Sequence, residues 1–519
     1  MSGLMERIRG LSPAHQQDVI NVVQGVPSLK QKFYNGSMGS NGTASERSTL
    51  LERFEQYAQW TIPALFPPTD TPGAQEVQLD YQSFGAQAVN NLANKVVTTL
   101  FHPTRPFFKA QAPDEYVRQS QRSLTDIDAD LSALEKKCMV QFAERDGRTV
   151  ATDATMQLMV TGNVMWNMHR GQPYRHFTYR DYDASFDVWG EMTHCIVREW
   201  INVNALSARH AQMCMKYGKR ENDMVEVFTG IKRIAMGYYV VWQEIENFMV
   251  LGEDYSVYSK DTIPWKPQRW LVVPGRQAGV GLIEQMAGDF HTLSKMSMAE
   301  LDLIAVMCDI KTIVKPGGTT KIKDLNEALP GEYVAGNPDD FSSHSHDVAN
   351  QMQWLDKKMQ GLIRRLSQMF LLNSNAIRDA ERVTAEEVRY IAQELDQVHG
   401  GVYSRVARSL QRPIAQDLMR NESPVFKSFK PLIITGLESL SRMSELDMYR
   451  GFINDMTTVG TALQGAHGAW VNVENLTKKF ASGWGIDINE VVYTPQQKQA
   501  EEERQLELQA KIAMTQGVR

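Results

Sequence analysis

The sequence predicts an α+β fold that is mainly helical, and three observations carry that expectation. From Val348 to Phe370 apolar residues fall at Val348, Met352, Leu355, Met359, Leu362, Leu366 and Met369, in alternating steps of four and three. That is the a/d pattern of a helix packed along a seam. A second helical run puts Ile283, Met286, Phe290, Leu293, Met296, Leu301, Ile304 and Met307 roughly on one side. From Met159 the period changes, and runs such as HCIVREWINV, VEVFTGIKRI and YYVVWQEIENFMV, broken by Gly, Pro and Asp, read as strands.

Taken in order, residues 1–43 read as an N-terminal extension: a weakly helical stretch, then the flexible linker NGSMGSNGTAS. In 44–280 a helix begins near Glu46 with Leu50, Leu51, Phe54, Tyr57 and Ala58 on one side, and it stops at Pro63. Gln82 to Leu100 is another amphipathic helix, Leu124 to Arg145 and Thr149 to Leu158 are two more, and 160–275 is expected to form a β-barrel or sandwich. Asp181, Asp183 and Asp187 lack the glycine and terminal glutamate of an EF-hand loop, so they read as an exposed strand–turn–strand rather than a metal cluster.

The two helical runs, 281–309 and 345–370, bracket an insert over 310–344. The result is a hairpin with a small knob at its tip. The insert opens with the strand-like IKTIV and a Lys315-Pro-Gly-Gly turn, and its basic residues are Lys315, Lys321 and Lys323. KPGGTTK lacks the spacing of a phosphate-binding loop, and His344 with His346 reads as a solvated helix start. On the second helix Lys357, Lys358, Arg364 and Arg365 face away from the apolar seam as one short stripe. A charged loop follows over 371–383 and contains Arg378 and Arg382. Thr384 and Glu387 then form a capping box, in which the threonine accepts from the N3 amide and the glutamate reaches back to the cap amide. The helix that starts there passes Gly400-Gly401 and Pro413, both plausible kink points, and the segment 384–436 ends in the strand-like KPLII. Residues 437–519 read as helical, with a glycine-rich break at GAHGAW and a charged tail helix from Pro495.

Composition narrows the function classes. The chain has 519 residues, 42% apolar and 22% charged, which are globular values with room for about three domains. A net charge of −6 excludes a bulk basic nucleic-acid binder, so any DNA contact must come from local patches or from shape. The four cysteines have no C-x-x-C pair and read as buried free thiols. The N-terminus has no apolar h-region and no run approaches the ~18 apolar residues that a membrane helix needs, so the protein is expected to be cytosolic and soluble when made. The 26 methionines concentrate in the two hairpin helices, either as core filler or at an interface that shifts.

The order helix, insert, helix, loop and long kinked helix, together with FLLNSNAIRDAERVTAEEVRYIAQELDQVHGGVYSRV, resembles the portal (head-to-tail connector) proteins of T7-type short-tailed phages. ERSTLLERFEQYAQWTIPALFP and GAQAVNNLANKVVTTLFHPTRPFF, far away in the chain, resemble the opening of the same proteins. The resemblance covers about residues 45 to 495 and departs at both ends. It implies a portal architecture: a wing over 44–280, a two-helix stem, a small α/β clip over 310–344 and a tunnel loop over 371–383. A spine helix over 384–436 returns to the wing, and a helical crown with the C-terminal tail follows over 437–519. By the same resemblance the protein forms a dodecameric ring in the virion, at the capsid portal vertex, after assembly in the host cytoplasm. The ring passes double-stranded DNA without reading its sequence and docks terminase and a tail adaptor. Major capsid and scaffolding proteins, and internal core proteins, are its other expected partners. Arg378, Arg382, Lys357, Lys358, Arg364 and Arg365 are the candidates to face the channel, and Lys315, Lys321 and Lys323 mark the clip.

An enzymatic reading finds little support. No zinc-protease, nucleophile-elbow or phosphate-loop motif is present, and GVGLIE (Gly279 to Glu284) lacks the third glycine of a dinucleotide fingerprint. Asp356, Asp379, Glu381, Glu386 and Glu387 do not converge at helical spacing as a two-metal nuclease would need. No enzyme activity, cofactor or metal is expected. A tail-adaptor or scaffold-type protein remains the alternative, with a metal-dependent nuclease behind it.

Overall fold

The computed structural model describes residues 28–35, 44–67, 79–102, 106–111, 113, 116, 124–234, 237–246, 249–250, 256–308, 311–317, 335–344, 349–372, 397–398, 402–422 and 429–433, with single positions at 321, 323, 327, 329, 333, 394, 451, 454, 455 and 457. The chain divides into two compact units, Met1–Thr435 and Gly436–Arg519. In the second, the described positions are helical, and the Thr457 hydroxyl donates to the Asn454 carbonyl at 2.8 Å.

The first unit begins with α1 (Leu29–Asn35), α2 (Ala44–Gln59), α3 (Phe84–Leu100), β1 (Phe108–Gln111), α4 (Leu124–Glu144) and α5 (Gly147–Thr161). Its β-rich part holds β2 (Asn163–Asn167), β3 (Arg175–Phe177), β4 (Tyr182–Phe186), β5 (Met192–Asn202), α6 (Ala208–Lys216), β6 (Met224–Ile234), β7 (Tyr238–Ile245), β8 (Met249–Val250), β9 (Ser256–Ser259) and β10 (Trp265–Arg269). The hairpin is α7 (Leu282–Gln285), α8 (Ala287–Cys308), β11 (Lys311–Val314), β12 (Phe341–His344) and α9 (Ala349–Met369). It is followed by α10 (Val402–Glu422) and β13 (Lys430–Ile433).

The core sits between α3, α5 and α10. Ala88, Val89, Leu92, Ala93, Val96, Val97 and Leu100 of α3 are buried, at the three- and four-residue spacing that makes one helix face. Phe101, Phe107, Phe142 and Tyr174 pack beside its end, with Phe101 and Phe142 stacked at a centroid distance of 4.9 Å. Each such ring, fully buried, contributes about 1.5–3 kcal/mol. Pro413 lies within α10, whose inner face carries buried Val406, Leu410, Ile414 and Leu418. The chain then returns to the wall of the core through β13, which pairs antiparallel with β1, Phe108 opposite Ile433.

The β-rich region forms two antiparallel sheets. One has the order β10-β2-β3, with Pro267 on the edge strand, where its missing N–H costs no ladder bond. The other is the meander β4-β5-β6-β7-β8, with β9 also on β7. Its path is open among the described strands, so where a barrel or sandwich was expected the described strands form an open meander beside a small sheet. The three aspartates are also less exposed than the sequence suggested. Asp181 is 3.2 Å from Arg198, Asp183 is buried 3.4 Å from Arg47, and Asp187 is 2.7 Å from Arg233 while accepting from the Trp189 and Glu191 amides. Arginines from other elements neutralise them, which spacing along the chain does not reveal.

The GVG of the incomplete dinucleotide motif has a packing role. Gly162 ends α5 at φ +78°, and a Cβ there would lie 2.5 Å from the Gly281 amide nitrogen. A Cβ on Gly279 would lie 2.6 Å from the Gly162 carbonyl oxygen. Two backbone segments meet where only glycine fits. Part of the N-terminal extension is docked rather than free. Leu29 and Phe33 of α1 are buried, the Leu29 N–H donates to Glu244 at 2.7 Å, and Lys30 pairs with Glu226 at 2.6 Å. Residues 1–27 and 36–43 lie outside the described residues.

Candidate nucleic-acid interface

The hairpin closes on itself. Phe290 of α8 meets Phe370 edge-on at 5.9 Å, and Leu355, Leu362 and Leu366 of α9 are buried within the single chain. The a/d seam is therefore filled inside one protomer, with Phe290 and Leu293 as buried residues of α8. The far end of α8 differs. Leu301, Ile304, Val306 and Met307 are 53%, 39%, 41% and 42% exposed. At the tip, β11 pairs antiparallel with β12, Lys311 opposite His344, so His344 closes a strand rather than starting a helix.

The four cations of the second hairpin helix are all exposed, as the pattern required. Lys357, Lys358 and Arg365 line a groove of about 480 Å³ with Trp354, Gly361, Thr292 and Met296. Arg364 is not among its lining residues. The Lys358 ammonium lies 5.7 Å from the Trp354 ring centroid, and Arg365 pairs with Asp289 across the hairpin at 3.0 Å. In the insert Lys315, Lys321 and Lys323 are exposed, and Lys323 is 3.9 Å from Glu327 one turn on. Such exposed pairs contribute at most about 1 kcal/mol, so these charges stay available to a partner.

Where α9 ends, the chain is clamped. Leu371 adopts φ 53°, the left-handed conformation usually given to glycine at a helix end. The Leu372 N–H then donates back to the Ser367 carbonyl at 2.9 Å, the six-to-one bond of a Schellman motif. From α3 the Asn91 side chain donates to the Phe370 and Leu371 carbonyls at 3.0 and 3.3 Å, and the Lys95 ammonium donates to the Leu371 carbonyl. Burial holds the Lys95 ammonium below its ordinary range, with Glu394 opposing the shift.

With this geometry, residues 39–492 match the model of the bacteriophage head to tail connecting protein family. The chain belongs to that family. It is 28% identical over 474 residues to the portal protein of Escherichia phage T7, covering 88% of this chain and 87% of that one. The portal protein of Enterobacteria phage T3 is also 28% identical over 474 residues, covering 88% of both chains. The portal protein of Pseudomonas phage phiKMV is 26% identical over 477 residues, covering 88% of this chain and 92% of its own length. The family is structural rather than enzymatic, and a head-to-tail connector belongs to the virion. Among the described residues of this connector no helix is long and apolar enough to cross a membrane.

Of the connector residues singled out from sequence, Lys357, Lys358 and Arg365 come together and Arg364 stands aside. Arg378, Arg382, Thr384 and Glu387 lie outside the described residues. Asn91 and Lys95 were not anticipated. Their signal was present in the sequence, since a lysine on the apolar side of an amphipathic helix needs an acceptor.

Proposed function

We propose that this connector assembles as a closed dodecameric ring at the capsid vertex, through which double-stranded DNA enters and leaves the head. The observation that carries the reading is the α8–α9 hairpin with an apolar far end left uncovered in the single chain. Exposed apolar clusters of this kind are expected to be covered in an assembly. In this reading the hairpin is the stem, the β11–β12 insert over 310–344 is the clip, residues 44–280 are the wing, and 437–519 are the crown and tail. The loop 371–383 is the tunnel loop, and the segment 384–436 is the spine. DNA is held weakly by rings of Arg378 and Arg382, and of Lys357, Lys358, Arg364 and Arg365. These contact phosphates and read no bases, because a base-specific contact would stall translocation. Lys315, Lys321 and Lys323 mark the surface offered to terminase and the tail adaptor. Capsid, scaffolding and internal core proteins contact the rest of the ring.

The test is the double variant R378Q/R382Q in reconstituted heads, beside K498Q/R504Q as control. The loop variant is expected to assemble rings yet package or retain less DNA, while the control behaves as the parent. Full-length packaging and retention by the loop variant would remove these arginines from the DNA path. Absence of rings in negative-stain images of the parent would overturn the assembly itself.

A further inference from the structure

A helix face outside the hairpin gathers positive charge without neutralising it. α10 is held by its apolar side and by Gln411, whose buried amide donates to the Leu100 carbonyl at 2.5 Å. Its other side carries Arg405, Arg408 and Arg412, all exposed. At a rise of 1.5 Å per residue they climb one face in steps of about 4.5 and 6 Å. Among the described residues none of the three forms an ion pair with a carboxylate, whereas Arg145, Arg180, Arg198 and Arg233 all do.

Opposite them lies the turn between β9 and β10. Its Lys260 bonds Glu191, and the Lys266 ammonium donates to the Lys260 carbonyl at 2.7 Å. Arg420 donates to the Asp261 carbonyl at 2.5 Å, fixing the turn to α10. Between turn and helix runs a groove of about 700 Å³, lined by Lys260, Lys266, Arg405, Arg408 and Arg412 against the single carboxylate of Asp261. In a chain whose net charge is −6, this excess is local.

We propose that this groove is a second phosphate-backbone site for duplex DNA, separate from the stem hairpin and indifferent to sequence. Guanidinium forks match phosphate oxygens in pairs, and three of them on one rigid helix are set for a row of phosphates. The lining has no aromatic ring for a base to stack on, so backbone contact is what it offers. A docked protein is the poorer fit. The core of a protein–protein interface is depleted in charge, whereas DNA-facing surfaces are polar and strongly positive. Pro413 is the groove's one apolar lining residue. The inference uses the proposed DNA conduit only to supply the ligand, and its test separates the two.

The experiment is fluorescence anisotropy of a labelled duplex of random sequence with the purified full-length protein, across a sodium chloride titration. For R405Q/R408Q/R412Q the affinity at about 0.1 M salt is expected to fall tenfold or more. The slope of log K against log salt should become shallower by about 2 to 3, since each lost phosphate contact removes about 0.9. R405K/R408K/R412K should keep most of the slope, and K136Q/K137Q/K216Q, exposed lysines elsewhere, should leave it at the parental value. R378Q/R382Q in the same assay reports on the loop alone, so a failed channel reading and a failed groove reading give different patterns. Parental affinity and slope in the R405Q/R408Q/R412Q variant overturn the proposal. Unchanged DNA binding with loss of ring assembly also overturns it, and makes the groove a seat for carboxylates of a second copy.

Discussion

The Lys95 ammonium donates to the carbonyl of Leu371, joining residues 276 apart. It does so at the one left-handed leucine that ends the second hairpin helix. A helix early in the chain thereby fixes the backbone that ends the second hairpin helix. Lys95→Met keeps the apolar stem of the side chain but removes the donor, leaving the Leu371 carbonyl with Asn91 at 3.3 Å among its partners. Loss of a buried donor costs about 1–3 kcal/mol. The expected result is faster amide exchange at Phe370 to Leu372 with the β-rich region unchanged. Parental protection there would mean that Asn91 and the Schellman bond suffice.

The buried seam and the exposed end of the hairpin should respond differently to charge. Leu355→Asp and Leu362→Asp each place a carboxylate inside the single chain and should lower its stability by several kcal/mol before any assembly. Leu301→Asp, at a position 53% exposed, should leave the protomer's denaturation midpoint near the parent's and block ring closure. Light scattering and urea melts together separate these outcomes. Closed rings formed by Leu301→Asp would remove the far end of α8 from the subunit contact.

Thiol chemistry reads the same end of the hairpin. Cys138, Cys195 and Cys214 are buried, and burial pushes the Cys138 thiol up to about 12, so it carries almost no thiolate near neutral pH. Cys308, at the last position of α8, is exposed. Iodoacetamide should therefore modify one cysteine in the dissociated native chain, and Cys308 should become protected on ring assembly. Equal labelling of Cys308 in both states would place the subunit contact away from the end of α8.

Much of this was legible in the sequence, and the misses share a cause. The helical periods located α2, α3, α4, α5, α8 and α9 to within a few residues, because each buries one stripe. The β runs were recognised too, but whether their sheet closes depends on the path of strands across the sheet, which no local pattern encodes. Partners distant in the chain were hidden for the same reason. Asp183 read as exposed because Arg47 lies 136 positions earlier, and no local pattern places the β9–β10 turn opposite Arg405, Arg408 and Arg412. The seam of α9 was visible, but whether its partner was α8 of the same chain or a neighbour's helix was not.

Burial pushes the Lys266 ammonium down to about 8; Asp261 and Asp417 oppose the shift, while Arg420 and Lys260 add to it. In the unfolded chain a lysine titrates near 10.4. Below about pH 8 both states hold the proton, and the fold carries the cost of a buried charge. Between about pH 8 and 10.4 the unfolded chain binds more protons than the native one, so this residue's contribution makes stability rise with pH there. Above that window the contribution is level. Lys266→Met removes the charge and keeps an unbranched apolar side chain. At pH 7 the variant is expected to be more stable than the parent to urea, with the gap narrowing steadily from pH 8 to 10. Other titrating groups, Lys95 included, are common to both proteins and largely cancel in the difference. A gap that stays constant across that range would show that Lys266 is not titrating in the fold.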